Sequence, residues 1–155
     1  MAMGEKEGKV LDRLRNLCSR REYCRSDIMK KAVTALDGDK ASAEKLVETL
    51  VNEKFIDELR YSSAFARDKS SLAGWGETKI RYMLSSKGVP REVITKALEE
   101  IDEGKASDRL EKLLANKLKS LKDDPQCRLK MLRFALGRGY DYETVSSSLD
   151  RMMRK

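Results

Sequence analysis

Basic side chains open two matching segments of this chain. The segments read KGVPREVITKAL (87–98) and RGYDYETVSSSL (138–149), and their first residues, Lys87 and Arg138, lie 51 residues apart. Lysine and arginine bind phosphates and carboxylates, and recurring positions in a repeated structure place such cations along one side. The repetition therefore predicts a basic stripe on a structure made of similar units.

The candidate partner- or DNA-binding residues are basic and fall in three groups. They are Arg20, Arg21 and Arg25; Lys79, Arg81 and Lys87; and Arg128, Lys130, Arg133 and Arg138. Lys79 and Lys130 repeat the 51-residue spacing. In SRREYCR (19–25), the arginines surround Tyr23, an arrangement that suits phosphates or an acidic surface. The alternative is a helix C-terminus whose cations complement the helix dipole.

Composition argues against catalysis by this chain. It contains no histidine, which removes the commonest general base and the commonest metal ligand. Cys18, Cys24 and Cys127 are odd in number and form no CxxC pair, which indicates reduced thiols in a cytoplasmic protein. No apolar run is long enough to span a membrane. We therefore expect no catalytic residue, no metal, no other cofactor and no membrane contact.

Charge is high and unevenly distributed. Charged residues make up 38% of the 155 residues, and the net charge is +7. Residues 1–56 sum to +2, residues 57–104 to −1 and residues 105–155 to +6. A basic C-terminal third suggests a polyanion or an acidic protein surface as partner, whereas the alternative is that solvated lysines only keep the protein soluble.

Apolar residues recur at helical spacing through the whole chain, and no segment alternates as a strand would. The pattern predicts nine helices in three helix-turn-helix-like units, 9–56, 57–104 and 105–155, after a disordered N-terminus at 1–8. Each unit is small, so we expect neighbouring units to bury their apolar faces by stacking into an elongated curved array.

Glycine, proline and aspartate indicate the helix ends. Gly88 and Gly139 follow helices as left-handed residues, and Pro90 and Pro125 suit the first helical position. The predicted inner faces are Leu59, Tyr61, Ala64 and Phe65 in the first helix of the second unit, and Leu129, Leu132 and Leu136 in the second helix of the third. The predicted N-caps are Asp57, Asp124 and Asp141.

Two further segments have a functional and a structural interpretation. GWGETK (74–79) lacks the GK[ST] ending of a phosphate-binding loop, and its Trp75 either closes the gap between helices or is exposed to a partner. EEIDEG (99–104) lacks the ligand pattern of a calcium loop and is expected to be a solvated linker.

Four blocks resemble a known family. CSRREYCRSDIMKK (18–31), FIDELRYSSAFARDK (55–69), GWGETKIRYMLSSKGVPREVITKALEEI (74–101) and LKMLRFALGRGYDYETVSSSL (129–149) are similar to the RecX proteins, bacterial regulators of the RecA recombinase. The resemblance covers roughly residues 10–153. Cys24 departs from it, since the family usually has a serine helix cap there.

The resemblance implies three three-helix repeats and a non-enzymatic activity. It implies docking in the groove of the RecA–DNA filament, with restraint of filament growth, ATP hydrolysis, strand exchange and co-protease activity in recombination, DNA repair and the SOS response. The expected protein is a monomer, and its cations face either DNA phosphates or acidic RecA side chains. The alternative function is a stand-alone nucleic-acid-binding module that uses second helices such as 77–87 for recognition.

Overall fold

The computed structural model describes residues 4–154. Within that range the chain forms nine α-helices and no strand, as the apolar spacing predicts. The helices are α1 (Glu5–Arg20), α2 (Arg25–Ala35), α3 (Lys40–Asn52), α4 (Glu58–Ser71), α5 (Glu77–Ser86), α6 (Arg91–Leu98), α7 (Glu103–Leu121), α8 (Cys127–Gly137) and α9 (Tyr142–Met153). We call α1–α3 repeat one, α4–α6 repeat two and α7–α9 repeat three.

The predicted disordered N-terminus lies only partly within the described residues. Residues 1–3 are outside them, and Glu5–Gly8 already belong to α1. Glu5 and Glu7 stand in the first turn of that helix, where acidic side chains stabilise the exposed amide groups.

Each repeat has an apolar core of its own. Buried apolar residues pack in three separate clusters, and each cluster is confined to one repeat. The fully buried members include Ile28, Leu46 and Leu50 in repeat one, Ile80 and Leu84 in repeat two, and Leu110, Leu114, Met131 and Leu149 in repeat three. The predicted array of stacked units therefore joins three separately packed cores.

The inner face of α4 differs from the predicted one. Ser62, Ser63 and Ser70 are buried on it, whereas Leu59 is 40% exposed. Small serines let the packed helices approach closely. The larger Tyr61 and Phe65 are only partly buried at the edge of the core.

The second helix of repeat three also turns a different face inward. Met131 and Ala135 are buried, whereas Leu129 is 40% and Leu136 is 39% exposed. Apolar residues occur nearly all round α8, so periodicity alone does not select one face. Packing between α7 and α9 makes that selection.

Most helix ends follow the predicted capping residues. Asp57 accepts a hydrogen bond from the Arg60 amide at 2.9 Å, and Asp141 accepts one from the Thr144 amide at 3.2 Å. Gly88 and Gly139 have φ of 80° and 98°, as the left-handed position requires.

Three boundaries are shifted from their predicted places. Pro90 is the N-cap of α6 and not its first residue. Asp124 and Pro125 form a turn, in which the Asp124 carboxylate accepts from the Gln126 amide at 2.8 Å, and α8 begins only at Cys127. The segment EEIDEG is a linker only in part, because Asp102 is the N-cap of α7.

Repeat three packs against the first turn of α5 through its backbone. The Gly76 amide donates to the Arg138 carbonyl at 2.7 Å, and the Thr78 amide donates to the Gly139 carbonyl at 2.9 Å. These bonds satisfy two amide groups that have no partner within the helix itself. A Cβ placed on Gly76 would lie 2.5 Å from the Gly139 carbonyl, so the two backbones approach as closely as glycine permits.

Side chains of repeat three complete this junction. The Arg138 guanidinium donates to the Ala73 carbonyl at 3.1 Å, and the Tyr140 hydroxyl donates to the Gly74 carbonyl at 3.2 Å. Arg109 of α7 donates to the Ser70 hydroxyl at 2.5 Å. The loop between α4 and α5 is thus fixed from the next repeat.

Repeats one and two meet at the equivalent place, but through side chains. The Ser26 hydroxyl donates to the Lys87 carbonyl at 2.7 Å, and the Lys87 ammonium lies 3.1 Å from the Asp27 carboxylate. Cys24 makes no capping bond to α2. Glu58 of repeat two accepts from the Arg25 amide at 2.8 Å and caps the helix instead.

No helix within residues 4–154 is both long and apolar enough to cross a membrane.

A comparison of two glycines tests the tight junction. Gly139→Ala places a Cβ 2.3 Å from the Lys79 Cβ, in addition to the strain of a left-handed backbone. We expect it to lower the free energy of unfolding by roughly 2–5 kcal/mol in urea denaturation, as the sum of overpacking and backbone strain.

Gly88→Ala is the matched control, because its φ is similar and no atom lies within 4 Å of the added Cβ. It should cost only about 1–2 kcal/mol of backbone strain. Equal losses for the two variants would show that the contact between Gly76 and Gly139 is not a tight one.

The three cysteines are free, as the sequence predicts, and all three are buried. Burial raises the pKa of the Cys18 thiol, and the nearby Glu22 carboxylate raises it further. We expect all three thiols of the native protein to react with a thiol reagent at least about 10-fold more slowly than a free cysteine, with Cys18 reacting only above its usual pH range. Rapid labelling of one thiol in the folded protein would contradict this expectation.

Candidate functional site

The candidate cations of repeat one differ in how much they are engaged. Arg21 lies 4.0 Å from the centre of the Tyr23 ring, and Arg25 pairs with Glu48 across the same repeat. Arg20 is exposed, and no carboxylate oxygen of the described residues lies within 4.0 Å of its guanidinium. Tyr23 is buried, so its ring supports Arg21 and is not itself offered to a partner.

Each candidate of repeat two contacts another side chain, and two of the three form ion pairs. Arg81 pairs with Glu77 one turn earlier at 3.2 Å, and the Lys79 ammonium lies 4.3 Å from the centre of the Trp75 ring. Lys87 binds Asp27 of repeat one.

Two candidates of repeat three form ion pairs with carboxylates of the same repeat. Arg128 lies 2.8 Å from Asp150, and Lys130 lies 2.5 Å from Asp124. Arg133 is exposed and has no carboxylate oxygen within 4.0 Å in the described part of the chain.

The recurring cations Lys87 and Arg138 hold the repeats together. Lys87 joins repeat two to repeat one, and Arg138 joins repeat three to repeat two. Both side chains are half-buried at a junction. The 51-residue repetition is therefore explained by a structural contact, and binding of a partner by these two residues stays a prediction.

A further row of cations lies on α7 and was not among the candidates predicted from the sequence. Lys105, Lys112 and Lys119 are exposed, and none of their ammonium groups has a carboxylate oxygen within 4.0 Å among residues 4–154. Their seven-residue spacing places them on one face about 10.5 Å apart, opposite the buried Leu110 and Leu114. The heptad spacing was readable in the sequence, but it does not follow the 51-residue period.

Trp75 lies at the junction of repeats two and three. Its ring meets the Phe65 ring edge to face, with 6.2 Å between centroids. Two ammonium groups lie over it, those of Lys69 at 4.8 Å and Lys79 at 4.3 Å. The residue is half-buried, so it packs between helices and keeps part of its surface accessible to a partner.

A cleft of about 740 Å³ lies beside Trp75, between repeats two and three. Glu77, Glu99, Glu103 and Asp141 are among its lining residues. Within the described range, no group of three or more His, Cys, Asp or Glu side chains is placed to hold a metal ion. The carboxylates make the cleft negative, in contrast to the lysine face of α7.

Charge at the junction of repeats one and two shifts one carboxyl group. Burial raises the pKa of Asp27, but hydrogen bonds to Lys87 and Cys24 and the positive charges of Lys87 and Lys30 together outweigh it, so the pKa lies below its usual value. At the other junction, burial raises the pKa of the Tyr140 hydroxyl, although Arg109 and Arg138 oppose that shift.

Comparison with known proteins identifies the family. The profile of the RecX second three-helix domain matches residues 57–98. A regulatory protein RecX of Prosthecochloris aestuarii is 32% identical over 94% of this chain and 94% of its own length. The chain belongs to the RecX family. A second RecX regulatory protein, from Chromohalobacter salexigens, is 33% identical over 95% of both chains.

Other RecX proteins are longer than this chain. The regulatory protein RecX of Clostridium tetani is 30% identical over 74% of this chain, which spans only 54% of that protein. The chain thus covers nearly the whole of some relatives and about half of others.

Solved RecX structures share the fold. The crystal structure of RecX from Lactobacillus salivarius matches with a TM-score of 0.86 at 16% identity, over 99% of this chain and 100% of that one. A second crystal structure, of a regulatory protein RecX, matches with a TM-score of 0.84 at 20% identity, over 94% of this chain and 72% of that one. This RecX-family chain is therefore a helical-repeat protein related to regulatory proteins.

The ion pair between Lys87 and Asp27 should make stability depend on pH. A carboxyl group whose pKa is lower in the folded than in the unfolded state stabilises the fold above the unfolded value, near 3.9, and loses that effect as pH falls through the folded pKa. We expect the free energy of unfolding of the wild-type protein to exceed that of Asp27→Asn by about 1 kcal/mol or less at neutral pH, because the pair is partly exposed.

That difference should decline in urea titrations as the pH falls below the unfolded value near 3.9, and it should vanish once Asp27 is protonated in both states. The control Asp123→Asn alters an exposed carboxyl group and should change stability by less than about 0.5 kcal/mol. A difference between wild type and Asp27→Asn that persists unchanged in acid would show that the charge of Asp27 is not what stabilises the junction.

Proposed function

We propose that this chain docks on the RecA–DNA filament and restrains its growth, and with it ATP hydrolysis, strand exchange and co-protease activity. The observation that carries the proposal is the match to RecX regulatory proteins over 94–95% of both chains, which includes all three repeats. The action is binding alone, and it requires no nucleophile or metal.

The architecture supports an extended partner. Three repeats with separate cores are joined by polar junctions, so the chain offers contacts along its length and not around one central cavity. A filament repeats its own surface along an axis, and successive repeats of this chain can contact successive parts of such a surface.

The distribution of positive charge favours repeat three as the part of the chain that attracts an anionic partner most strongly. Lys105, Lys112 and Lys119 are exposed cations without carboxylate partners in the described residues, and they lie in the third of the chain that carries +6. Unpaired surface cations attract an anionic partner over a Debye length of about 8–10 Å. Lys87 and Arg138 are less suitable for this role, since binding a partner would compete with their junction contacts.

The direct test measures ATP hydrolysis by cognate RecA on single-stranded DNA. Wild-type protein should lower the rate at well below one copy per DNA nucleotide. Reversal of Lys105, Lys112 and Lys119 to Glu should raise the concentration needed for half-inhibition about 10-fold or more at low salt, and added salt should weaken the wild-type effect.

Reversal of Lys30, Lys40 and Lys45 is the matched control. These exposed lysines of repeat one give the same change in net charge at a distant surface and should alter half-inhibition far less. Circular dichroism should show unchanged helicity in both variants. The proposal is wrong if the wild-type protein leaves the rate of ATP hydrolysis by RecA unchanged but binds DNA tightly without RecA. That result would favour the stand-alone nucleic-acid-binding module.

A further inference from the structure

The loop that carries Trp75 is held in place by contacts from both sides. The Trp75 amide donates to the Lys69 carbonyl at 2.9 Å, which folds the loop back onto the end of α4. Gly74 has φ of 69°, and its carbonyl accepts the Tyr140 hydroxyl of repeat three. The indole therefore has a fixed position before any partner binds.

Two lysines converge on this indole without a neutralising partner. Lys69 comes from α4 and Lys79 from α5, and both ammonium groups lie within 5 Å of the ring centre. Within residues 4–154, neither has a carboxylate oxygen within 4.0 Å. Two neighbouring positive charges repel one another, so an anion placed between them is favoured.

The stem of Lys79 is also fixed by the fold. Its Cβ faces Gly139, where an added methyl group would come within 2.3 Å. The junction of repeats two and three thus positions one of the two cations relative to the indole.

A second aromatic side chain follows on the same helix. Tyr82 lies three residues after Lys79 on α5, a spacing that makes the two side chains neighbours on the helix surface. Its side chain is 70% exposed. Exposed aromatic rings beside unpaired lysines are the combination with which proteins bind single-stranded nucleic acid, since bases stack on the rings and phosphates meet the cations.

We propose that Trp75, Lys69, Lys79 and Tyr82 form a binding site for single-stranded nucleic acid, which we call the indole site. The ammonium groups bind phosphate oxygens, and Trp75 and Tyr82 stack on bases. The inference rests on the proposed function only in that it assigns the DNA contact of the filament-bound protein to these residues.

The binding free energies favour displacement of the lysines from the ring by a base. A cation over a surface aromatic ring contributes less than a base stacked on the same ring does. The displaced ammonium group in addition gains a phosphate contact. An acidic peptide supplies the anion but no planar group for Trp75 and Tyr82, so the aromatic side chains favour nucleic acid.

The chain has one tryptophan, so its fluorescence reports on this site alone. Titration with an oligothymidylate in the absence of RecA should quench the emission of Trp75 to saturation. Lys69→Gln with Lys79→Gln should weaken binding about 10-fold or more and reduce the slope of log K against log salt by about 1.4, the value for two phosphate contacts to a single strand.

Lys30→Gln with Lys45→Gln is the matched control, because it removes two exposed lysines from repeat one and should leave both the affinity and the quenching unchanged. Trp75→Ala and Trp75→Phe are compared by the anisotropy of labelled oligothymidylate. The first should weaken binding about 5-fold or more, whereas phenylalanine keeps a stacking surface and should restore part of the affinity. Circular dichroism and thermal melting identify any variant that fails to fold.

Four results would overturn the proposal. One is oligothymidylate binding with no change in Trp75 emission and no effect of the Lys69 and Lys79 substitutions. Another is equal quenching by polyglutamate, which would assign the surface to an acidic protein, and the third is equal quenching by duplex DNA. If the double lysine variant loses binding to DNA but still inhibits RecA hydrolysis, the indole site stands while docking depends on other contacts. If it still binds oligothymidylate as wild type does, the site fails without affecting the proposed regulation.

Discussion

The pair of hydrogen bonds from the first turn of α5 to the Arg138 and Gly139 carbonyls is the contact on which the arrangement of the molecule depends. The amide groups of a helix N-terminus need acceptors, and here the following repeat supplies them. Because Gly76 and Gly139 both lack a Cβ, the backbones come close enough for these bonds to form. The same contact orients the loop that carries Trp75 and fixes Lys79, so the candidate binding surface depends on it.

The repeats do not need one another to bury apolar surface, since each has its own core. Their relative positions are set by polar contacts at two junctions of different character. At the junction of repeats two and three, the backbone at Gly76 bonds directly to the backbone of the next repeat. Cys24 occupies the equivalent position in repeat one. At that junction the side chains of Glu58, Ser26 and Lys87 make the contacts. An ion pair responds to pH and salt more than a backbone hydrogen bond does, so the junction of repeats one and two is the more sensitive of the two.

Positively charged side chains in this protein have two roles. Lys87 and Arg138 stabilise the junctions, whereas the lysine face of α7 and the pair around Trp75 have no carboxylate partners within residues 4–154. A cation that is already paired gains little from a second anion, while an unpaired one gains the whole attraction. The unpaired cations are therefore the better candidates for contacts with a filament or a nucleic-acid strand.

The sequence by itself determined the helical class, the three units, most helix ends and the resemblance to RecX, because apolar periodicity, capping residues and glycines act within a few neighbouring residues. The tertiary structure decided which face of α4 and α8 is buried, since small serines and all-round apolar residues leave several faces open until neighbouring helices pack. It also decided the roles of the candidate cations. Lys87 meets a carboxylate 60 residues away and Arg138 a carbonyl 65 residues away, and no local pattern encodes a partner at that distance. Whether a charge is left for binding is therefore set by the fold as a whole.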